Sequence, residues 1–170
     1  MRARLLPYAA LVLCWSAGLL SPARAGVSCT VSTSGVAFGN YDPTSAAPVS
    51  VIGSLGFTCT VLGLGVGTTG TITLSTGASG SFTNRMMTYG GQSLLYNLYA
   101  DINHTQVFGD GTGSTYEYSF CYLGGSAKSC TGGGNQSGTV YSVPLYGLLP
   151  PAQNVAAGTY SDSIIATITF

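Results

Sequence analysis

The sequence predicts an all-β chain folded as an antiparallel β-sandwich, and three observations lead there. Apolar residues recur at every second position over several stretches. Clusters of Gly, Ser, Asn, Asp and Pro separate those stretches, and no window carries an apolar helical period of convincing length. The 25 glycines among 170 residues suit turns, while a hydrophobic share of 45% can fill a core, which sets the chain apart from disordered low-complexity sequences. No repeat of fixed period is visible, which argues against a solenoid or propeller.

Taken in order, Arg2 and Arg4 precede an apolar run over residues 5–20, and Ser21-Pro22 leads into Ala23-Arg24-Ala25, a small-x-small cleavage pattern. The run is shorter than the roughly 18 to 20 residues of a membrane span and contains Pro7. Residues 1–25 therefore read as a secretory signal, and residues 26–170 as one exported domain that begins at Gly26. Strands are expected at residues 29–33, 36–41, 49–61, 71–75, 94–99, 106–108, 116–122, 139–146 and 159–170. In the longest, Val49, Val51, Gly53, Leu55, Phe57, Cys59 and Val61 alternate with hydroxyl-bearing residues, with a bend expected near Gly53 or Gly56. Turns are expected at residues 77–80, 109–111 and 132–135. In the last stretch Tyr160, Asp162, Ile164, Ala166, Ile168 and Phe170 share one face, so an apolar strand runs to the final residue.

Only ten residues are Asp, Glu, Lys or Arg, and beyond residue 25 Arg85 and Lys128 stand against Asp42, Asp101, Asp110, Glu117 and Asp162. Such a chain cannot neutralise a row of phosphates or form a polybasic membrane patch, so nucleic acid is excluded as a partner. No small-molecule substrate is evident. His104 is the sole histidine, and its spacing from Asp101 and Asp110 assembles no nucleophile and base; it reads as a turn residue. Gly109-Asp110-Gly111-Thr112-Gly113 lacks the further carboxylates of a calcium loop and the Lys of a phosphate loop, and reads as a tight turn. No enzyme, metal or cofactor is expected.

Four cysteines follow the signal: Cys29, Cys59, Cys121 and Cys130. An even count in an exported chain argues for two disulfides, and neither C-x-x-C spacing nor nearby His supports zinc. Of three connectivities, Cys29 with Cys59 and Cys121 with Cys130 is the expectation, because the second pair flanks a Gly-Gly segment that closes easily. The apolar residues Leu62, Leu64, Val66, Leu148 and Leu149 lie in Gly- and Pro-rich connections and are candidates for adhesive loops.

Several motifs, in order, resemble the spore coat protein U domain family, which includes the pilin subunits of archaic chaperone–usher systems. They are Cys29-Thr-Val-Ser, Val36-Ala-Phe-Gly-Asn-Tyr-Asp-Pro43, Phe57-Thr-Cys59-Thr, Leu95-Tyr-Asn-Leu-Tyr-Ala-Asp101, Phe108-Gly-Asp-Gly-Thr-Gly113, Tyr146-Gly147, Ala157-Gly-Thr-Tyr-Ser-Asp162 and Ile168-Thr-Phe170. The resemblance implies an immunoglobulin-like sandwich lacking its final strand. A periplasmic pilus chaperone would lend that strand, and at an outer-membrane usher another pilin subunit would replace it. It also implies passage through the inner membrane to the periplasm, then a cell-surface or extracellular adhesive fibre of the kind found in biofilms. Ile164, Ala166, Ile168 and Phe170, or the opposite face with Ile165, would line the acceptor groove. Cleavage after Ala25 would leave three residues before Cys29, too few to donate a strand, which suits a tip or terminating subunit. A stand-alone secreted coat or matrix protein on the same domain is the alternative.

Overall fold

The computed structural model describes residues 26–62, 68–122 and 138–170. The expected signal at 1–25, Leu64, Val66, Cys130 and the turn at 132–135 lie outside them.

β2 (Val49–Leu62) organises the first sheet. Leu55, Phe57 and Cys59 are buried along one face, as the alternation predicts. The strand is long because it serves two neighbours. β1 (Gly26–Gly35) pairs with residues 54–62, and β7 (Tyr141–Leu149) with residues 49–57. β7 continues onto β5 (Gln92–Tyr99), and β5 onto β4 (Arg85–Tyr89), giving the order β1-β2-β7-β5-β4. The second sheet contains β3 (Thr68–Leu74), β6 (Tyr118–Tyr122) and β8 (Ala166–Thr169) in the order β6-β3-β8. Every ladder between these strands is antiparallel.

The core fills the space between the sheets. Phe57 stands at its aromatic centre, its ring 5.0 Å from Phe120 and 6.3 Å from Tyr122, with Tyr118 and Tyr141 between those limits. Tilted and edge-to-face pairs of this kind add about 0.5–1.5 kcal/mol each beyond the area they bury. The buried Tyr122 hydroxyl accepts the Cys59 N–H at 3.0 Å, so its polar atom is satisfied without leaving the core.

Cys29 and Cys59 face each other across the β1–β2 ladder and form the predicted disulfide, with Cα atoms 4.0 Å apart. Cys121, on β6, is also disulfide-bonded. Its expected partner, Cys130, lies outside the described residues.

Several elements differ from expectation. Residues 36–41 form no strand: the β1 register shifts between Thr33 and Gly35, the Gly35 N–H turns onto Thr33 Oγ1 at 2.9 Å, and Gly39 sits at φ 73. Val36, Phe38 and Tyr41 still pack on the core, which is the apolar pattern the sequence displayed. Residues 106–108 make only isolated bridges. β4 was not anticipated, because Arg85-Met86-Met87-Thr88 shows no alternation. At the C-terminus the ladder covers only β8. Upstream, Ser161 bridges instead to Thr88 of β4, so the extended segment leaves one sheet and enters the other.

Candidate functional site: a cleft between two sheet edges

β1 ends one sheet, β8 ends the other, and the two approach each other across a gap. Among the described residues no strand lies beyond either edge. The Ser75 N–H donates to the Ile165 carbonyl at 2.9 Å, and the Ile165 N–H to Ser75 Oγ at 2.9 Å. Residue 165 therefore turns its backbone toward β3. Antiparallel alternation then turns the backbone groups of Ala166 and Ile168 toward the open side.

A cleft of about 390 Å³ opens in this gap. Thr33, Gly35 and Val36 form one wall, Ile164 and Ala166 the other, and the core residues Leu55, Leu74, Leu98 and Leu145 reach it from below. A second cavity of about 690 Å³ lies between residues 36–43 and 155–160 and meets the first at Val36, Phe38, Met87 and Tyr160.

Of the residues singled out for a groove, Ile164 and Ala166 line the cleft, and Ile168 is half-buried against the same core. Ile165 faces away, 66% exposed, and Phe170 follows the ladder, 51% exposed. The candidate adhesive loop at residues 148–149 is corrected: both residues belong to β7, and Leu149 is fully buried in the core. The prolines that follow suggested a connection there, but they only terminate the strand. Leu62 ends β2 opposite Gly26.

Nothing in the residue pattern marked the polar cluster beside the cleft. Arg85 is fully buried. Its Nε and Nη2 donate to the Ser75 carbonyl at 3.1 and 2.8 Å, Nη2 also to the Phe108 carbonyl at 2.7 Å, and Nη1 to Asn97 Oδ1 at 2.9 Å. Burial pushes its pKa down from the usual arginine value, opposed by Tyr96 and Asp162. Tyr96, opposite Arg85 in the β4–β5 ladder, donates its hydroxyl to Asp162 Oδ2 at 2.7 Å. Burial, then that hydrogen bond, pushes the Tyr96 phenol well above its ordinary value. Asp162 Oδ1 accepts the N–H groups of Ala78 at 2.9 Å and Ser163 at 2.7 Å. Ala78 belongs to a 3-10 turn, Gly77–Ser79, whose first residue has φ 67 and lies so near the carboxylate that a Cβ there would collide with it. A lone charge in a charge-poor chain ordinarily reads as surface, which is why only the fold exposes this arrangement.

The remaining acids hold turns. Asp42 accepts from Thr44, and Asp110 from Thr112; in each case the threonine hydroxyl and then its N–H lower the carboxyl pKa. At Asp101 desolvation raises the pKa, but hydrogen bonds from Gln106 and Thr105 outweigh it and the net shift is downward. His104 has φ 55, and its ring meets Tyr99 edge-on at 5.1 Å. Among the described residues no group of three or more His, Cys, Asp or Glu is placed to hold a metal.

A family profile described as the Spore Coat Protein U domain matches residues 17–167. Protein U of Myxococcus xanthus is 30% identical over 167 residues, covering 91% of this chain and 84% of that protein. Among solved structures, a chain of the CsuC–CsuE chaperone–tip adhesion subunit pre-assembly complex, from archaic chaperone-usher Csu pili of Acinetobacter baumannii, superposes with a TM-score of 0.51 at 20% identity. The match covers 85% of this chain and 40% of that one, so the present chain spans less than half its length. The likeness is one of fold, and an immunoglobulin-like sandwich with an open edge is consistent with it.

Proposed function

The chain belongs to the Spore Coat Protein U domain family, and from that premise we propose that it is a non-enzymatic, strand-accepting subunit of an extracellular chaperone–usher fibre. The observation that carries this reading is the cleft between β1 and β8, floored by buried core leucines and bordered by two sheet edges beyond which no strand lies among the described residues. An incoming extended segment would satisfy that edge and place alternate side chains in the cleft. Burying four or five apolar side chains at about 1.5–3 kcal/mol each gives a gross gain of roughly 6 to 15 kcal/mol before ordering costs.

In this reading residues 1–25 direct export and are removed before Gly26. A periplasmic chaperone fills the cleft first, and another pilin subunit replaces it at an outer-membrane usher. Because β1 pairs from Gly26 onward, cleavage there leaves no free extension for donation, which suits a tip or terminating position. Adhesion and a place in biofilm follow from surface display. The sequence similarity to Protein U over most of both chains favours a second reading, a stand-alone secreted coat or matrix protein.

Co-expression with a chaperone of this pathway separates the two. The fibre reading expects a stable one-to-one complex that Ile168→Asp abolishes. Recovery of the chain as a chaperone-independent monomer, with Ile168→Asp affecting only its stability, supports the coat reading.

A further inference from the structure

Within the cleft, one carboxylate interrupts an otherwise uncharged lining. Asp162 lies on the wall between Tyr160 and Ile164, beside Ser161, Ser163 and the Tyr96 ring. It is not free to swing away. The N–H groups of Ala78 and Ser163 hold Oδ1, and the Tyr96 hydroxyl holds Oδ2. A carboxylate has about four acceptor sites; among the described residues Oδ2, which lies against Gly77, takes one hydrogen bond, from the Tyr96 hydroxyl, and Asp162 lines the cleft.

Resting on the strand-accepting reading, we infer that Asp162 is a specificity-determining residue of the cleft: it selects a partner strand with a hydrogen-bond-donating side chain, Ser or Thr, at one inward position and rejects Asp or Glu there. Apolar pockets alone discriminate poorly among aliphatic side chains. A fixed carboxylate acts differently, because an acidic side chain opposite it adds like-charge repulsion in a low dielectric and an apolar one leaves the acceptor capacity unmatched. The partner segment then reads as an alternating apolar strand with a single hydroxyl-bearing interruption, which is a more restrictive pattern than apolarity alone.

The test is a peptide scan on the disulfide-bonded protein purified after export. Ten-residue peptides with alternating apolar residues carry Thr, Leu or Asp at each position in turn, and binding is read by competition against a fluorescent parent peptide. The expected result is one inward position at which Thr binds roughly tenfold tighter than Asp, the size of a charged-group hydrogen bond, while other inward positions prefer Leu. Asp162→Asn preserves the side-chain shape and should remove the discrimination at that position only. Since each ratio is taken within one protein, a general loss of stability in the variant leaves it interpretable; Tyr96→Phe, which keeps the ring and the carboxylate, should retain the rejection of Asp. Binding without any position that discriminates, or discrimination unchanged in Asp162→Asn, overturns the assignment. Failure of every peptide to bind overturns strand acceptance itself, and this inference with it.

Discussion

The two edges that face the cleft are fastened by different means. β1 pairs with β2 from Gly26 to Gly35 and is tied to it covalently through Cys29 and Cys59. β8 is four residues long, pairs with β3 alone, and is introduced by a segment held through the Asp162 carboxylate, Tyr96 and the Arg85 cluster beneath them. One edge is secured by a covalent bond. The other is secured by polar contacts and a short ladder, and it is the edge at which the proposed partner strand would add. Under the proposed function this difference is a division of labour: the stapled wall would be ready before assembly, and the polar-held wall would be completed by the incoming strand.

The largest effect is expected from breaking the polar side. Arg85→Met removes a buried cation, takes the guanidinium donors from the Ser75 and Phe108 carbonyls, and leaves Asn97 Oδ1 with the Leu98 N–H alone. The expected loss is about 3–5 kcal/mol, read as a fall in the urea midpoint. A loss below 1 kcal/mol would show that β8 does not depend on this cluster.

Next comes the covalent side. The disulfide spans a sequence separation of 30, and the double variant Cys29→Ala, Cys59→Ala should cost about 2–4 kcal/mol by loosening the unfolded chain's constraint. Thermal unfolding under non-reducing conditions measures it. If the β1 edge is the prefabricated one, hydrogen exchange in this variant should rise first in β1 and not in β8.

A pH series separates the two regions again. Burial raises the phenol pKa values of Tyr96, Tyr99, Tyr116 and Tyr122, with the Asp162 hydrogen bond adding to the shift at Tyr96. A folded pKa above the unfolded one gives stability that is complete below the unfolded value, near 10, and is lost as pH rises through the folded value. Stability should therefore fall above about pH 10, and Tyr96→Phe should blunt that fall.

The smallest effect is expected in acid. The lowered carboxyls of Asp42 and Asp110 give stability that is present above the unfolded value near 4 and lost as pH falls through the folded one. Both are solvent-exposed turn residues, so Asp42→Ala should shift an acid titration only slightly, and a large shift would contradict their role as local turn formers.

The sequence was legible where burial follows a two-residue period. From Tyr160 to Ile168 every second residue is partly buried, although only the last part forms a ladder, so alternation marked the faces better than the pairing. The Cys29–Cys59 disulfide was legible because pairing Cys121 with Cys130 across a Gly-Gly segment leaves these two for each other. Residues 36–41 misled for a physical reason: Phe38 meets the Tyr96 ring at 5.5 Å and fills space in the cleft without backbone pairing, and an apolar pattern cannot tell these apart. Leu149 was obscured by the adjoining prolines. Arg85 and Asn97 were invisible, since their value lies in carbonyls contributed by Ser75, Phe108, Phe82 and Thr83, which only tertiary folding brings together.

The central claim is that the gap between β1 and β8 is a vacancy for a partner strand. The most direct measurement is the thermal midpoint of the purified, disulfide-bonded protein with and without a ten-residue alternating apolar peptide. Binding to the folded state alone raises the midpoint with peptide concentration, and a hundredfold excess over Kd corresponds to about 2.7 kcal/mol. The account predicts such a rise, with protection from hydrogen exchange appearing in Ala166–Thr169 and at β1. A high midpoint in the absence of peptide, unmoved by saturating peptide or by a chaperone of this pathway, would show a sandwich already complete and contradict it.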